Sequence, residues 1–178
     1  MKLLLHMCCA PCSIYPLEQL QNKNFDVMGL YYNPNIHPYT EFNKRKETLF
    51  EFSSQKNLKI IFKEDYPLNE WLQNVTFRES ERCYYCYYSR LKTTAITAKR
   101  GKFKYFSTSL LYSKFQKHEL IKSIAQNLAK EYGLEFYYED FRAGWKYGIE
   151  QSKKLNMYRQ QYCGCIYSER DRYYNKRV

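Results

Sequence analysis

The sequence predicts an α/β protein: a three-layer, mostly parallel sheet of about five strands, ending in a helical C-terminal extension. Two observations carry that expectation. Short apolar runs at 3–5, 25–32, 58–62, 103–106 and 134–138 alternate with longer stretches of helical period. The residues with the most chemistry follow directly after those runs, where open parallel sheets put their ligands. At 178 residues the chain is the size of one domain. The expected organisation is a single domain, 1–178, in which 145–178 forms the extension and carries Cys163-Gly164-Cys165.

The elements follow in order. Leu3-Leu4-Leu5 is a buried strand, and Pro11 and Cys12 open a helix running to Gln21. Phe25 to Tyr32 reads as a second strand, stopped by Asn33-Pro34. Thr40 can cap a helix reaching Lys56, with Phe42, Leu49 and Phe52 on its inner side. A third strand, Leu58 to Phe62, leads past Glu64 and Asp65 to Pro67, which suits the first turn of a short helix through Trp71. From Cys83 a helical stripe through Leu91, Ala95 and Ala98 runs to Gly101. Phe103 to Phe106 is the fourth strand, and Ser107-Thr108-Ser109 forms its exit. The clearest helix is Lys117 to Tyr132, with Leu120, Ile121, Ile124 and Leu128 on one face. A fifth strand, Leu134 to Tyr138, leaves Asp140, Phe141 and Arg142 at its tip. A helix over Tyr147 to Leu155, the Cys163–Cys165 turn and a basic tail without apolar period complete the chain. His6 reads as a core histidine, and His37 and His118 as exposed ones.

Composition narrows the function. Twenty-nine basic against eighteen acidic residues give a net charge of +11, which suits a polyanionic partner, nucleic acid first among them. Twenty tyrosines and eleven phenylalanines leave rings to spare for stacking on bases. No apolar run is long enough to span a membrane or to form a signal-peptide core, so a cytoplasmic, reducing environment is expected. No glycine-rich phosphate loop is present, which argues against nucleotide hydrolysis.

The seven cysteines fall into three groups: Cys8, Cys9 and Cys12; Cys83 and Cys86; Cys163 and Cys165. Three thiols within five residues, at a strand end and a helix N-terminus, suit a soft metal and a lowered thiol pKa. Cys83-Tyr-Tyr-Cys86 fits metal binding or a redox pair. Cys8 and Cys9 with Cys83 and Cys86 supply four thiolates, enough for structural zinc or a 4Fe-4S cluster. Cys163-Gly164-Cys165 reads either as a small, easily reduced disulfide or as further metal ligands. Cys12 is left to bind a second metal, to donate a proton or to pack. Asp140 and Arg142 are candidate catalytic residues by their place at a strand tip, and Tyr158-Arg159-Gln160-Gln161-Tyr162 has the make-up of a nucleotide-binding segment.

These segments taken together resemble the cobalamin-independent epoxyqueuosine reductases, the QueH family. The matching stretches are Leu4–Ser13, Glu81–Cys86 with Arg90-Leu91, Ser107–Leu111, Asp140–Arg142 and Tyr158–Cys165. Tyr66-Pro67 stands where the family pattern has Tyr-Asp. The resemblance implies a fold like that of the PP-loop and HUP enzymes, a 4Fe-4S cluster with an adjacent mononuclear iron, and a substrate tRNA carrying epoxyqueuosine at the anticodon wobble position. It implies the last step of queuosine synthesis, a two-electron, two-proton removal of the epoxide oxygen as water, fed by an electron donor that the sequence does not identify. Carried onto these residues, Cys8, Cys9, Cys83 and Cys86 hold the cluster and Cys12 serves the iron. Cys163 and Cys165 cycle between dithiol and disulfide, with Arg170, Arg172, Lys176 and Arg177 among the candidate phosphate contacts. Two other readings stand beside it: a zinc-stabilised RNA-binding module and a metal-free thiol-disulfide oxidoreductase.

Overall fold

In the computed structural model, which describes residues 1–174, five parallel strands form one sheet in the order β3-β2-β1-β4-β5. The chain runs β1 (Lys2–His6), α1 (Ala10–Asn22), β2 (Asp26–Tyr31), α2 (Tyr39–Gln55), β3 (Ile60–Phe62) and α3 (Leu68–Val75). It continues through α4 (Arg82–Arg100), β4 (Tyr105–Thr108), α5 (His118–Tyr132), β5 (Glu135–Phe136), α6 (Trp145–Lys154) and α7 (Ile166–Tyr173). Short 3-10 turns at Ser109–Tyr112 and Phe141–Gly144 join β4 to α5 and β5 to α6. Helix α1 packs beside α2 and α6, and α4 pairs with α5 as a second layer.

The order of strands follows from their composition. β1 is central, flanked by β2 and β4, and Leu3, Leu4 and Leu5 are fully buried. A strand covered on both faces must be apolar throughout, which a run of three leucines satisfies and an alternating pattern would not. To the same core α1 contributes Ile14, Leu17 and Leu20, α4 Leu91 and Ala95, and α5 Ile121, Ala125 and Leu128. Each such side chain stabilises the fold by about 1.5–3 kcal/mol. Helix α5 ends on Gly133, whose φ of +64° lets its N–H return to the last turn without a Cβ penalty.

The expected α/β class, parallel sheet and strand number agree with this architecture. The edges are shorter than expected. β3 loses Leu58 and Lys59 to the approach, and β5 keeps two residues because the chain leaves the sheet beyond Phe136, where Tyr137 makes one further bond to the Phe106 carbonyl. The helical C-terminal extension agrees too, and within it the stretch read as a basic tail without apolar period forms α7 over 166–173. It has no buried residue to mark it, but Glu169 lies in its first turn and Arg170 and Arg172 in its last, as the helix dipole favours. Two histidines are also corrected, because His37 is 2% exposed and His118 is 6% exposed. The fold tucks the loop bearing His37 under the C-terminal segment and turns His118 onto the Tyr138 hydroxyl. Among the described residues, no helix is long and apolar enough to cross a membrane.

Candidate active site

Strand order reverses between β1 and β4, so the crevice at their carboxyl ends opens there. The last residue of β1, His6, has its Nδ1 2.9 Å from Thr108 Oγ1 at the end of β4 and its Nε2 3.2 Å from the Tyr32 carbonyl. Burial, helped by the Arg90 charge, pushes its pKa down to about 4, so the ring is a neutral spacer. Past His6, the Cys8 N–H donates to Ser109 Oγ at 3.0 Å, and the Ser109 hydroxyl donates to Cys8 Sγ at 3.4 Å. Asn33 Nδ2 donates to the Met7 carbonyl at 3.1 Å. The strand tip is thereby fixed from β2 and β4 before α1 begins.

That tip delivers three thiols to one point. The sulfurs of Cys8, Cys9 and Cys12 all lie within 4.8 Å of one another, and among the described residues they form the one cysteine, histidine or carboxylate cluster with such spacing. Cys9 has extended backbone as the cap of α1, with Pro11 in the first turn, so Cys8 and Cys9 precede the helix and Cys12 enters it. Hydrogen bonds from Cys12 and Cys9 hold the Cys8 thiol well below its usual range. Burial pushes Cys9 up, and its bonds to Cys8 and Cys9 push Cys12 up. The cluster therefore favours one thiolate shared among three sulfurs. Gln160 closes it from above, with Nε2 3.0 Å from Cys9 Sγ and 3.3 Å from Cys12 Sγ.

The second group lies on the first turns of α4. Cys83 is half-buried and Cys86 is buried, its thiol pushed up to about 12 by burial. One turn later, Arg90 donates Nη2 to Cys86 Sγ and Nε to the Cys86 carbonyl, both at 2.9 Å. Arg90 is 2% exposed and has no carboxylate partner among the described residues. A buried cation is costly unless anions face it. The groups whose charge Arg90 feels are Cys86, Cys163 and Cys8, one from each cysteine group. The site is thus built to hold negative sulfur.

The third group is held by a clamp. Arg45 on α2 is buried and bonded through Nε to Glu41 Oε1 at 2.6 Å. Its remaining nitrogens donate to the carbonyls of Cys163 at 2.9 Å and Tyr162 at 3.1 Å. Tyr158 gives its hydroxyl proton to the other Glu41 oxygen. From the opposite side the His37 N–H donates to the Gly164 carbonyl at 2.8 Å. Gly164 has a φ of +151°, and a Cβ there would come within 3.2 Å of Asn35 and Ile36, so a side chain would unseat the turn. Both cysteines are free thiols. Cys163 reaches solvent and accepts from Gln116 Nε2 at 3.3 Å, while the atoms crowding it push its thiol up. Cys165 is buried beside Trp71 and Val75, and its sulfur accepts from the Ser168 N–H at the start of α7.

One cavity of about 490 Å³ ties these parts together. Cys8, Cys12, Arg90, Gln160 and Cys163 line it, with Arg45 behind them. Asp140 and Arg142 do not. They pair with each other at 2.6 Å on the turn before α6, each about two-fifths exposed, and Arg142 holds the Asp140 carboxyl down at about 2. Arg159, Gln160, Gln161 and Tyr162 also line the cavity, whereas Tyr158 turns to Glu41. Arg45, Glu41 and Gln116 were not anticipated: an i, i+4 Glu–Arg pair reads as an ordinary surface pair until the C-terminal segment is seen to cover it. The donor set fits a soft-metal group, with three sulfurs around one point, two further cysteines on α4 and an uncompensated buried cation between them.

Whole-chain comparisons identify the family. A family model described as epoxyqueuosine reductase QueH matches residues 3–171. A protein named epoxyqueuosine reductase QueH from Dehalococcoides mccartyi is 41% identical over 172 residues, covering 97% of this chain and 94% of that one. Relatives of the same name from Acinetobacter baylyi and Thermotoga maritima are 37% and 32% identical, over 96% and 93% of this chain and 81% and 88% of theirs. Among solved structures, one described as a predicted subunit of a tRNA methyltransferase from Methanocaldococcus jannaschii superposes with a TM-score of 0.59 at 11% identity. It covers 86% of this chain and 74% of that one, and the likeness is one of fold. With its cysteine groups gathered at the switch point of a parallel sheet and its sequence matched from end to end, this chain belongs to the epoxyqueuosine reductase QueH family.

Proposed function

We propose that this protein reduces epoxyqueuosine in tRNA to queuosine, removing the epoxide oxygen as water at the expense of two electrons and two protons. The observation that carries the reading is the convergence of Cys8, Cys9 and Cys12 within 4.8 Å at the floor of a cavity whose wall bears Cys163. A 4Fe-4S cluster held by Cys8, Cys9, Cys83 and Cys86, beside an iron ion served by Cys12, would supply single-electron transfer and Lewis acidity toward the epoxide oxygen. The remaining roles belong to the chain. Arg90 supplies a positive charge that favours the ionised form of the sulfurs around it and works against the burial that raises Cys86 and Cys163. Gln160 and Gln116 present amide donors on the cavity wall at Cys9, Cys12 and Cys163, where an epoxide or diol oxygen can take their place. Cys163 and Cys165 balance the reaction: forming their S–S bond releases the two electrons and two protons that the epoxide consumes, and an external donor then restores the dithiol.

Asp140 caps the 3-10 turn whose last residue precedes Trp145, through bonds to the Arg142 N–H and guanidinium. Because α6 supplies Trp145, Gly148 and Ile149 to the cavity, this pair positions a wall rather than touching substrate. Anaerobic purification followed by iron, sulfide and zinc analysis tests the reading. About four irons and four sulfides, with or without one more iron, support it and justify the assay on epoxyqueuosine tRNA. A colourless protein with stoichiometric zinc, or one with no metal, overturns it. In the iron-loaded protein, Cys165→Ser should keep the visible absorbance while turnover collapses; normal turnover would remove the dithiol from the mechanism.

A further inference from the structure

The turn between β4 and α5 carries a large ring for which the fold has no use. Phe115 is 84% exposed, whereas Gln116 next to it points inward to Cys163 Sγ. The turn is pinned. The Phe115 N–H donates to Ser113 Oγ at 3.2 Å, and the Lys117 N–H donates to the Tyr87 hydroxyl at 3.2 Å. Tyr87 in turn donates to Gln116 Oε1 at 2.8 Å. Phe115 meets Trp145 edge to face, with centroids 5.6 Å apart, and Trp145 lies tilted over Tyr112 at 5.2 Å. All three rings line the mouth of the cavity that holds the thiols.

Charge says what this surface is for. Lys114 and Lys117 flank Phe115, Lys146 follows Trp145, and Arg159 stands on the cavity wall. All four are exposed, and none has a carboxylate partner among the described residues. A protein partner's apolar patch would not call for a ring of free cations. A single-stranded nucleic acid calls for both, with rings taking base faces and cations taking phosphates. We propose that Phe115, backed by Trp145, is the stacking platform for an unpaired loop base adjoining the nucleotide that enters the cavity, with Lys114 and Lys117 on its phosphates. The inference rests on the tRNA reading and adds to it the residue that orients the loop. Because Phe115 and Gln116 are consecutive and point opposite ways, one nucleotide can stack outside while its neighbour reaches the thiols.

The test is affinity for an anticodon stem-loop RNA, measured by fluorescence anisotropy for the wild type and for Phe115→Ala, Phe115→Leu and Phe115→Trp. Phe115 is exposed, so thermal unfolding should not change. The Ala and Leu variants should bind about tenfold to a hundredfold more weakly, the Trp variant should bind like the wild type, and the salt slope should stay the same. Replacing a neighbour of the wobble nucleotide by an abasic one should weaken the wild type and abolish its advantage over Phe115→Ala. Equal binding by Phe115→Ala, or full binding by Phe115→Leu, overturns the platform while leaving the tRNA reading intact. If the wild type binds the stem-loop no better than a duplex of equal length, the tRNA reading fails and the platform falls with it.

Discussion

Arg90 is the residue whose neighbours explain it least without chemistry at sulfur. A guanidinium at 2% exposure, bonded to one carbonyl and one thiol, leaves most of its charge uncancelled while the cysteines are neutral. Its field is therefore directed to stabilising thiolates, and Cys163 is the one among them that reaches solvent. Replacing Arg90 by Met keeps the bulk and removes the charge. In metal-free protein the pH midpoint for alkylation of Cys163 should then rise, because an opposite charge nearby favours the ionised form. Arg90→Lys should fall between the two, since an ammonium keeps the charge but cannot bridge sulfur and carbonyl as a planar fork does. An unchanged midpoint in Arg90→Met would mean that Arg90 serves packing alone. Glu41 and Arg45 form the other buried charge at this scale, and here the charges cancel within the pair. Glu41→Gln should destabilise the protein by about 3–5 kcal/mol in urea unfolding, because Arg45 is then left buried and unpaired. The double variant Glu41→Leu, Arg45→Met should recover much of that loss. It should still turn over poorly, because the Tyr162 and Cys163 carbonyls have lost their donors. Recovered activity alongside recovered stability would show that the clamp does not position the thiol.

Among the elements, the loop 33–38 shows how a connection can hold the site. Its His37 N–H bonds Gly164, its carbonyl accepts from Tyr162, and its ring packs at 4.6 Å on Trp71. Both ring nitrogens are buried without a side-chain hydrogen-bond partner among the described residues, and burial lowers the ring's pKa to about 4. The unfolded chain takes up that proton near pH 6.5, so the folded form binds fewer protons between about 6.5 and 4. The stability due to neutral His37 is fully present above about pH 6.5 and is lost as the pH falls toward 4. The unfolding free energy of wild type minus His37→Gln should be level above that range and decline through it, with His6 cancelling in the difference; a level line throughout would place His37 in contact with water. None of this was legible from sequence, where a histidine in a proline-bounded loop carries no sign of what will cover it. What could be read was local. The leucine run of β1, the period of α5 and the cysteine spacings are each set by near neighbours in the chain. The shortness of the edge strands and the bounds of α7 escaped because edges are set by where the chain departs, and because a wholly exposed helix has no apolar stripe. The grouping of Cys8, Cys9 and Cys12 was legible in their spacing, but the Gln160 amide that closes over them was not, because it comes from the far end of the chain.

For the whole molecule, the site lies at one end of the sheet in a chain whose net charge is +11, and the two are connected through the cavity mouth. Exposed and without a carboxylate partner among the described residues, Lys114, Lys117, Lys146, Arg159 and Arg172 stand on the elements that line the cavity or beside them. Arg170 and Arg82 are instead engaged with Asp171, and the candidate cations Lys176 and Arg177 lie outside the described residues. Cations gathered around the entrance concentrate a polyanion where it must dock, and each phosphate they neutralise releases condensed counterions. If about five phosphates are held, log K should fall with log salt at a slope of about −4. Raising the salt from 50 to 200 mM, a change of about 0.6 in log salt, should then weaken tRNA binding by about 250-fold. Lys114→Gln with Lys117→Gln should lower that slope by nearly two, whereas Phe115→Ala should lower affinity at every salt concentration and leave the slope alone. The two results separate the electrostatic hold on the backbone from stacking on a base. A slope near zero in the wild type would mean that the charge serves solubility, and that binding depends on the cavity alone.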